Sequence, residues 1–293
     1  MRYLLLDNYI KILFLLLILI FAVVPTKAQS ILESFDFSKS ETFLLPNQLQ
    51  EVSGLVLNSE GRLFAHNDEK GTVYEIDFNN KKIIKFFFIG WKAVYRDFED
   101  IAIVDDKFYL LVSNGDIYEF SEADHKRYSD YTIYRSAFSS KFEFEGLCYD
   151  SLTNSLLLAS KEYPGKKYSG MRTVYSFNLI TKQFIPEPRF VISLKELKSK
   201  YKISEFKPTG IEYHPLSETF FIISSNKQSI IELSNDGKIL NGMFLPEANH
   251  QQPEGITFNK LGDLLIADEG KNGRGFITKY KIVSIPSTNL DEE

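Results

Sequence analysis

From about residue 50 onward, apolar residues come in short runs broken by Asn, Asp, Gly and Pro. That pattern predicts β-strands joined by turns rather than amphipathic helices. Leu55–Leu57 (LVL), Leu63–Ala65 (LFA), Thr72–Ile76 (TVYEI) and Lys82–Phe87 (KIIKFF) form one such series, with a turn at Asn58–Gly61 (NSEG). The series then recurs. Its opening motif is Glu51–Leu55 (EVSGL), repeated as Asp97–Ile101 (DFEDI), Glu143–Leu147 (EFEGL), Lys207–Ile211 (KPTGI) and Gln252–Ile256 (QPEGI). With Gly54, Asp100, Gly146, Gly210 and Gly255 as anchors, the spacings are 46, 46, 64 and 45 residues.

Each anchor is followed by a short strand, a turn and a more apolar strand: Leu63–Ala65, Tyr109–Val112, Leu156–Ala159, Phe220–Ile223 and Leu264–Ala267. An alternating third strand comes next, as in Asp116–Phe120 (DIYEF) and Ser229–Leu233 (SIIEL), and a looser fourth closes the unit. Four short antiparallel strands in about 46 residues make one propeller blade. The expected fold is therefore all-β, a five-bladed β-propeller of four-stranded antiparallel blades. A β-sandwich would not explain why the anchor and the strand pattern recur together. The last repeat runs through Gly275–Ile282 (GFITKYKI) and lacks a fourth strand, whereas Ile31–Leu45 is strand-like and has no blade of its own. This N-terminal segment is expected to supply the outer strand of the last blade and so close the ring. The long spacing accommodates Leu194–Tyr201 (LKELKSKY), read as a short helix capped by Ser193, with its Lys-rich face in solvent.

Residues 1–28 follow another pattern. Arg2 and Lys11 precede an unbroken apolar run, Ile12–Val24, and small residues frame a cut after Ala28. This reads as a signal peptide or, if uncleaved, as a membrane tether through residues 9–24. The chain is thus expected to be exported, periplasmic or secreted, or anchored at the cell membrane. Residues 29–285 are read as one propeller domain and 286–293 as an acidic tail. Composition adds little beyond this. The 25 Phe and 16 Tyr suit half-buried strands. The net charge of −5 becomes about −7 without residues 1–28, which argues against a nucleic-acid partner. Cys148 is the only cysteine, so no internal disulfide can form, and it reads as a buried small hydrophobe.

In a propeller the innermost strands line a central channel. The residue before each anchor therefore gathers at one channel mouth: Ser53, Glu99, Glu145, Thr209 and Glu254. A second set, at the ends of the second strands, is expected on the same face and includes Asn67, Asp68, Asn114, Asp268 and Glu269. Two carboxylates 4 Å apart repel by roughly 4 kcal/mol at an effective dielectric near 20, so clustered glutamates need protons, basic partners or a cation. Oxygen donors without cysteine suit a hard ion such as Ca²⁺. Alternatively these glutamates hold the blades together, with Arg96 and Lys161 as basic partners. His66 beside the mouth can be a base or simply a packed side chain. Trp91, Tyr95, Tyr163 and Tyr168 fall on loops that can border a ligand surface.

Together the five motifs, with Leu264–Gly270 (LLIADEG) near the end, resemble the SdiA-regulated family of bacterial proteins over about residues 40–283. The resemblance implies a five-bladed propeller behind an N-terminal hydrophobic segment, distantly related to NHL-repeat propellers. It also implies a calcium ion near the Glu-bearing motifs, carried here only onto Glu99, Glu145 and Glu254. It assigns no reaction. The expected function is an exported calcium-binding propeller of the cell envelope, taking an unidentified small molecule or envelope protein at the channel mouth. The alternatives are a metal-dependent hydrolase of the lactonase, esterase or phytase kind, and a metal-free interaction module.

Overall fold

Each repeat folds into one antiparallel sheet, and the sheets stand around a central channel. The computed structural model describes residues 29–270 and 273–283, so the signal or anchor segment, the residue 9–24 tether and the acidic tail lie outside the described residues. The chain enters with β1 (Glu41–Leu44). Blade one holds β2 (Val52–Leu57), β3 (Leu63–Asn67), β4 (Thr72–Asp77) and β5 (Lys82–Ile89). Blade two holds β6 (Phe98–Val104), β7 (Lys107–Val112), β8 (Ile117–Ser121) and, after the two-residue β9 (Tyr128–Ser129), β10 (Tyr131–Tyr134). Blade three holds β11 (Phe144–Asp150), β12 (Ser155–Ser160), β13 (Met171–Asn178) and β14 (Gln183–Ser193). After α1 (Leu194–Tyr201), blade four holds β15 (Pro208–His214), β16 (Thr219–Ser224), β17 (Ser229–Leu233) and β18 (Ile239–Phe244). Blade five holds β19 (Pro253–Phe258), β20 (Leu264–Asp268) and β21 (Phe276–Tyr280).

The ring closes as the sequence leads one to expect. Strand β1 pairs antiparallel with β21, Glu41 opposite Lys279 and Leu44 opposite Phe276, and becomes the outer strand of blade five. Without it, β21 would present an open edge. The entering segment is also pinned to blade four. The buried Glu232 carboxylate accepts from Ser30 Oγ at 2.5 Å, Ile31 N at 2.9 Å and Leu32 N at 3.1 Å, and from Thr219 Oγ1 at 2.8 Å. One detail differs from the simple repeat: β9, from the connection between β8 and β10, lies parallel on the outer edge of β5 and makes blade one five-stranded. The helix α1 forms as read, with Ser193 Oγ accepting from Glu196 N at 3.2 Å.

The core consists of five hydrophobic clusters, one at each junction between neighbouring blades. Between blades three and four, for example, Leu157, Ile192 and Phe206 meet Ile211, Phe220 and Ile231, and Cys148 is buried with them. Between blades five and one, Phe43, Leu265 and Ile277 meet Leu55 and Ile76. A lone blade would leave both apolar faces in water, and radial packing buries both at about 25 cal/mol per Å². The repeat count and the fold therefore follow from the same requirement.

Candidate functional site

The innermost strands β2, β6, β11, β15 and β19 share an irregularity. In all five the register against the next strand slips at one residue: Val52 to Gly54, Phe98 to Asp100, Phe144 to Gly146, Pro208 to Gly210 and Pro253 to Gly255. The skipped residues are Ser53, Glu99, Glu145, Thr209 and Glu254, the same five singled out from the repeat. A β-bulge leaves its extra residue outside the ladder and re-aims its side chain. Four of the five bulged residues, Ser53, Glu99, Glu145 and Glu254, thereby line the channel mouth.

The glycines behind the bulges let the inner strands approach one another. A Cβ on Gly210 would lie 2.7 Å from Glu254 O, and one on Gly255 would lie 3.0 Å from Leu55 N. In blade two Asp100 takes the glycine position. Its buried carboxylate accepts from Ile101 N at 2.8 Å and Leu147 N at 2.6 Å, which joins blade two to blade three.

The mouth is an open cavity of about 570 Å³. Ser53, Asp68, Glu99, Glu145, Glu254 and Glu269 from the predicted sets line it, together with Asp97, Glu143, Ser113, Ser140, Gln252 and Lys161. Seven carboxylates therefore face one ammonium. The other predicted residues point elsewhere. Thr209 is buried and donates to Pro253 O at 2.7 Å, which stitches blade four to blade five. Asn67 accepts from Lys70 N, and Asn114 accepts from Asp116 N at 2.9 Å, each within its own turn. Asp268 is buried against His250 Nδ1 at 2.7 Å, and His250 Nε2 meets Tyr280 Oη at 2.7 Å. Arg96 donates to Tyr95 O, so Lys161 is the basic partner that reaches the glutamates.

Asp97, Glu143 and Gln252 were not singled out, although a signal for them exists. Each stands two residues before Glu99, Glu145 or Glu254, and residues two apart in an extended strand share a face. Deeper in the ring, Glu212 of β15 accepts from Tyr213 N at 2.7 Å, and burial pushes its carboxyl up to about 8.

Electrostatics at the mouth follow from crowding and burial. Burial, then the charges of Glu145 and Asp97, push Glu99 up to about 10. Glu254 is held well above the ordinary range by burial and by Glu145. Burial raises Glu145 to about 7, less than the others because Lys161 sits on its Oε1. Asp68 rises to about 6 through burial and the nearby Glu51, Glu69 and Glu269. Two buried oxygens at the mouth have no hydrogen-bond partner, Glu145 Oε2 and Asp68 Oδ1. Such orphans are uncommon in folded proteins and call for an explanation.

His66 is not poised as a base. It is fully buried, its Nδ1 donates to Asn67 O at 2.9 Å, and burial lowers it to about 4. The loop aromatics Trp91 and Tyr95 are exposed, with Trp91 edge-on to Tyr128 at 5.5 Å and Lys70 Nζ 5.4 Å from the Tyr95 ring. The turn bearing Asp68 is stitched to the Trp91–Arg96 loop, since Arg96 N donates to Glu69 O and Phe98 N to Asp68 O. Through Arg96 and Phe98 this loop is tied to the turn that carries Asp68, while Trp91 packs toward β9 on the outer edge of blade one.

The donors are all oxygens, and the two orphaned ones are acceptors, which fits a hard cation. Among the described residues, however, no three His, Cys, Asp or Glu side chains are drawn closely enough together to hold an ion as they stand. Among those residues, too, no helix is long and apolar enough to cross a membrane.

Comparison with known structures bears on the fold. The chain is similar to the glutaminyl cyclase of Myxococcus xanthus at 12% identity and a TM-score of 0.55, covering 83% of this chain and 96% of that one. It is also similar to the PQQ-bound aldose sugar dehydrogenase of Streptomyces coelicolor at 10% identity and a TM-score of 0.51, covering 83% and 99%. At such low identity these likenesses concern architecture alone. No curated protein matches the chain significantly in sequence. A family model does match, over residues 40–269, which span all five bulged motifs. The chain belongs to the SdiA-regulated family.

Proposed function

We propose that this is an exported propeller that binds a cation at its channel mouth, calcium by the chemistry of the donors, and receives a ligand or partner protein on the same face. Glu145 carries the reading. Its Oε2 is buried without a hydrogen-bond partner in a cavity where seven carboxylates face one lysine. A buried oxygen of this kind costs about 1–3 kcal/mol when left unmatched. Calcium takes roughly 6–8 oxygens and tolerates irregular geometry, so bulge-borne glutamates from three blades can serve it. Glu99, Glu145 and Glu254 would hold the ion, with Ser53 and Asp68 within the same cavity as further oxygen donors. When bound, the ion would add positive charge to a mouth where one lysine faces seven carboxylates. The exposed Trp91 and Tyr95, on the loop tied to the Asp68 turn, offer a surface for the ligand or partner.

Export rests on the pattern of residues 1–28, and mass determination of the mature N-terminus tests it, with cleavage after Ala28 expected. The metal-dependent hydrolase alternative would act through the same ion and has no observation of its own.

The cation reading is tested by stripping the purified chain with EDTA and melting it with and without added calcium. A ligand at a hundred times its Kd stabilises by about 2.7 kcal/mol, so calcium should raise the melting temperature. Glu145→Gln and Glu254→Gln should remove the response. Purified protein that carries no calcium and a melting temperature indifferent to it would leave the metal-free interaction module as the reading.

A further inference from the structure

The mouth contains its own cation. Lys161, just after β12, places Nζ on Glu145 Oε1, and its charge also acts on Glu99 and Glu254. These are the three glutamates proposed to hold the ion. The lysine side chain is 34% exposed and Glu145 only 10%, so the ammonium approaches from the solvent side onto a carboxylate that is nearly buried. The lysine backbone is fixed, with Lys161 N donating to Glu143 O at 2.8 Å, while its four-carbon side chain is free to swing outward.

We propose that Lys161 is a tethered counter-cation that occupies the calcium position in the metal-free protein, and that the ion and the ammonium exclude one another. This rests on the calcium reading of the site. An ammonium and a dication cannot share one cluster of carboxylates without strong repulsion. The lysine thereby sets the affinity. It stabilises the metal-free mouth and raises the calcium concentration needed to displace it. When displaced, it is free to meet Glu143, which lines the same cavity on the outer side.

Two measurements test this on the full chain. The first is calorimetric titration with calcium chloride of wild type, Lys161→Met and Lys161→Arg. Removing the competing charge should tighten binding by about tenfold or more in Lys161→Met, whereas Lys161→Arg should bind no more tightly than wild type. The second uses wild type only and so does not depend on a variant folding: lysine acetylation read by mass spectrometry. Lys161 should become more reactive on calcium addition as its ammonium leaves Glu145 for solvent. If wild type binds calcium, but Lys161→Met binds no tighter or Lys161 reactivity is unchanged, the counter-cation role is overturned and the calcium site stands. If neither wild type nor Lys161→Met binds calcium, both fall together.

Discussion

At the scale of single residues, the bulge and its glycine form one device. The bulge turns a side chain to the channel, and the glycine lets the neighbouring strand close behind it. Gly210 shows the constraint most sharply, because any Cβ there meets the backbone oxygen of Glu254 at 2.7 Å. Gly210→Ala is expected to destabilise by roughly 1–3 kcal/mol through overpacking and to displace Glu254. Gly273, whose added Cβ would meet nothing within 4 Å, serves as the control, and Gly273→Ala should leave the denaturant midpoint almost unchanged. Equal midpoints for the two variants would refute the close-approach account. The glutamates themselves were legible in the repeat. Their pairing with Lys161 rather than Arg96 was not, because both lysine and arginine stand near motifs and only the geometry of β12 delivers one of them to the mouth.

At the scale of elements, the ring depends on a strand borrowed from the other end of the chain. It is held by the ladder between β1 and β21, by backbone bonds of Asp36 and Val283 across the Phe35–Ile282 bridge, and by Glu232, which receives Ser30, Ile31 and Leu32. A further tie links Asn249 Nδ2 to Ser40 Oγ at 3.4 Å and to Tyr280 Oη at 3.2 Å, beside the buried His250 and Asp268. Glu232→Ala leaves the buried Ile31 N–H without an acceptor and Leu32 N with Ser30 Oγ alone, and should cost about 1–3 kcal/mol. It should also speed proteolysis in residues 30–45 before the rest of the chain is cut. Cleavage that begins uniformly across the blades would show that this segment is not the clasp. The missing fourth strand and the orphan N-terminal segment were both readable from the repeat, so the clasp was legible. The tie to Glu232 was not, since that residue lies some 200 positions away in the middle of an ordinary strand. Nor was β9, whose two residues carry too little pattern to announce a strand.

At the scale of the whole molecule, the carboxylates give the metal-free protein an unusual response to pH. Glu145 at about 7, Glu212 at about 8 and Glu99 at about 10 all lie above the ordinary glutamate value of 4.5. The folded state therefore holds more protons than the unfolded chain over that range, and stability falls as pH rises through it. His66 and His214, both lowered to about 4 from 6.5 by burial, act in the opposite sense and lose stability as pH falls below 6.5. Above 6.5 the histidine contribution is flat, and the raised carboxylates set the slope, joined above pH 9 in the same sense by the buried Cys148 thiol. In EDTA, the melting temperature should decline steadily from near neutrality toward pH 10, and Glu145→Gln should flatten the first part of the decline. A melting temperature that rises over this interval would contradict the buried-carboxylate account. By itself the sequence determined the number of blades, the closure and the repeat position that supplies Ser53, Glu99, Glu145 and Glu254 to the mouth, because packing similar sheets in a ring imposes a period that turns, apolar runs and glycines must all obey. Only the tertiary structure decided which of those residues meet. Thr209 is spent on the next blade, Asp268 on His250, and Glu145 on Lys161. Such pairings depend on distances between strands far apart in sequence, and no local pattern encodes them.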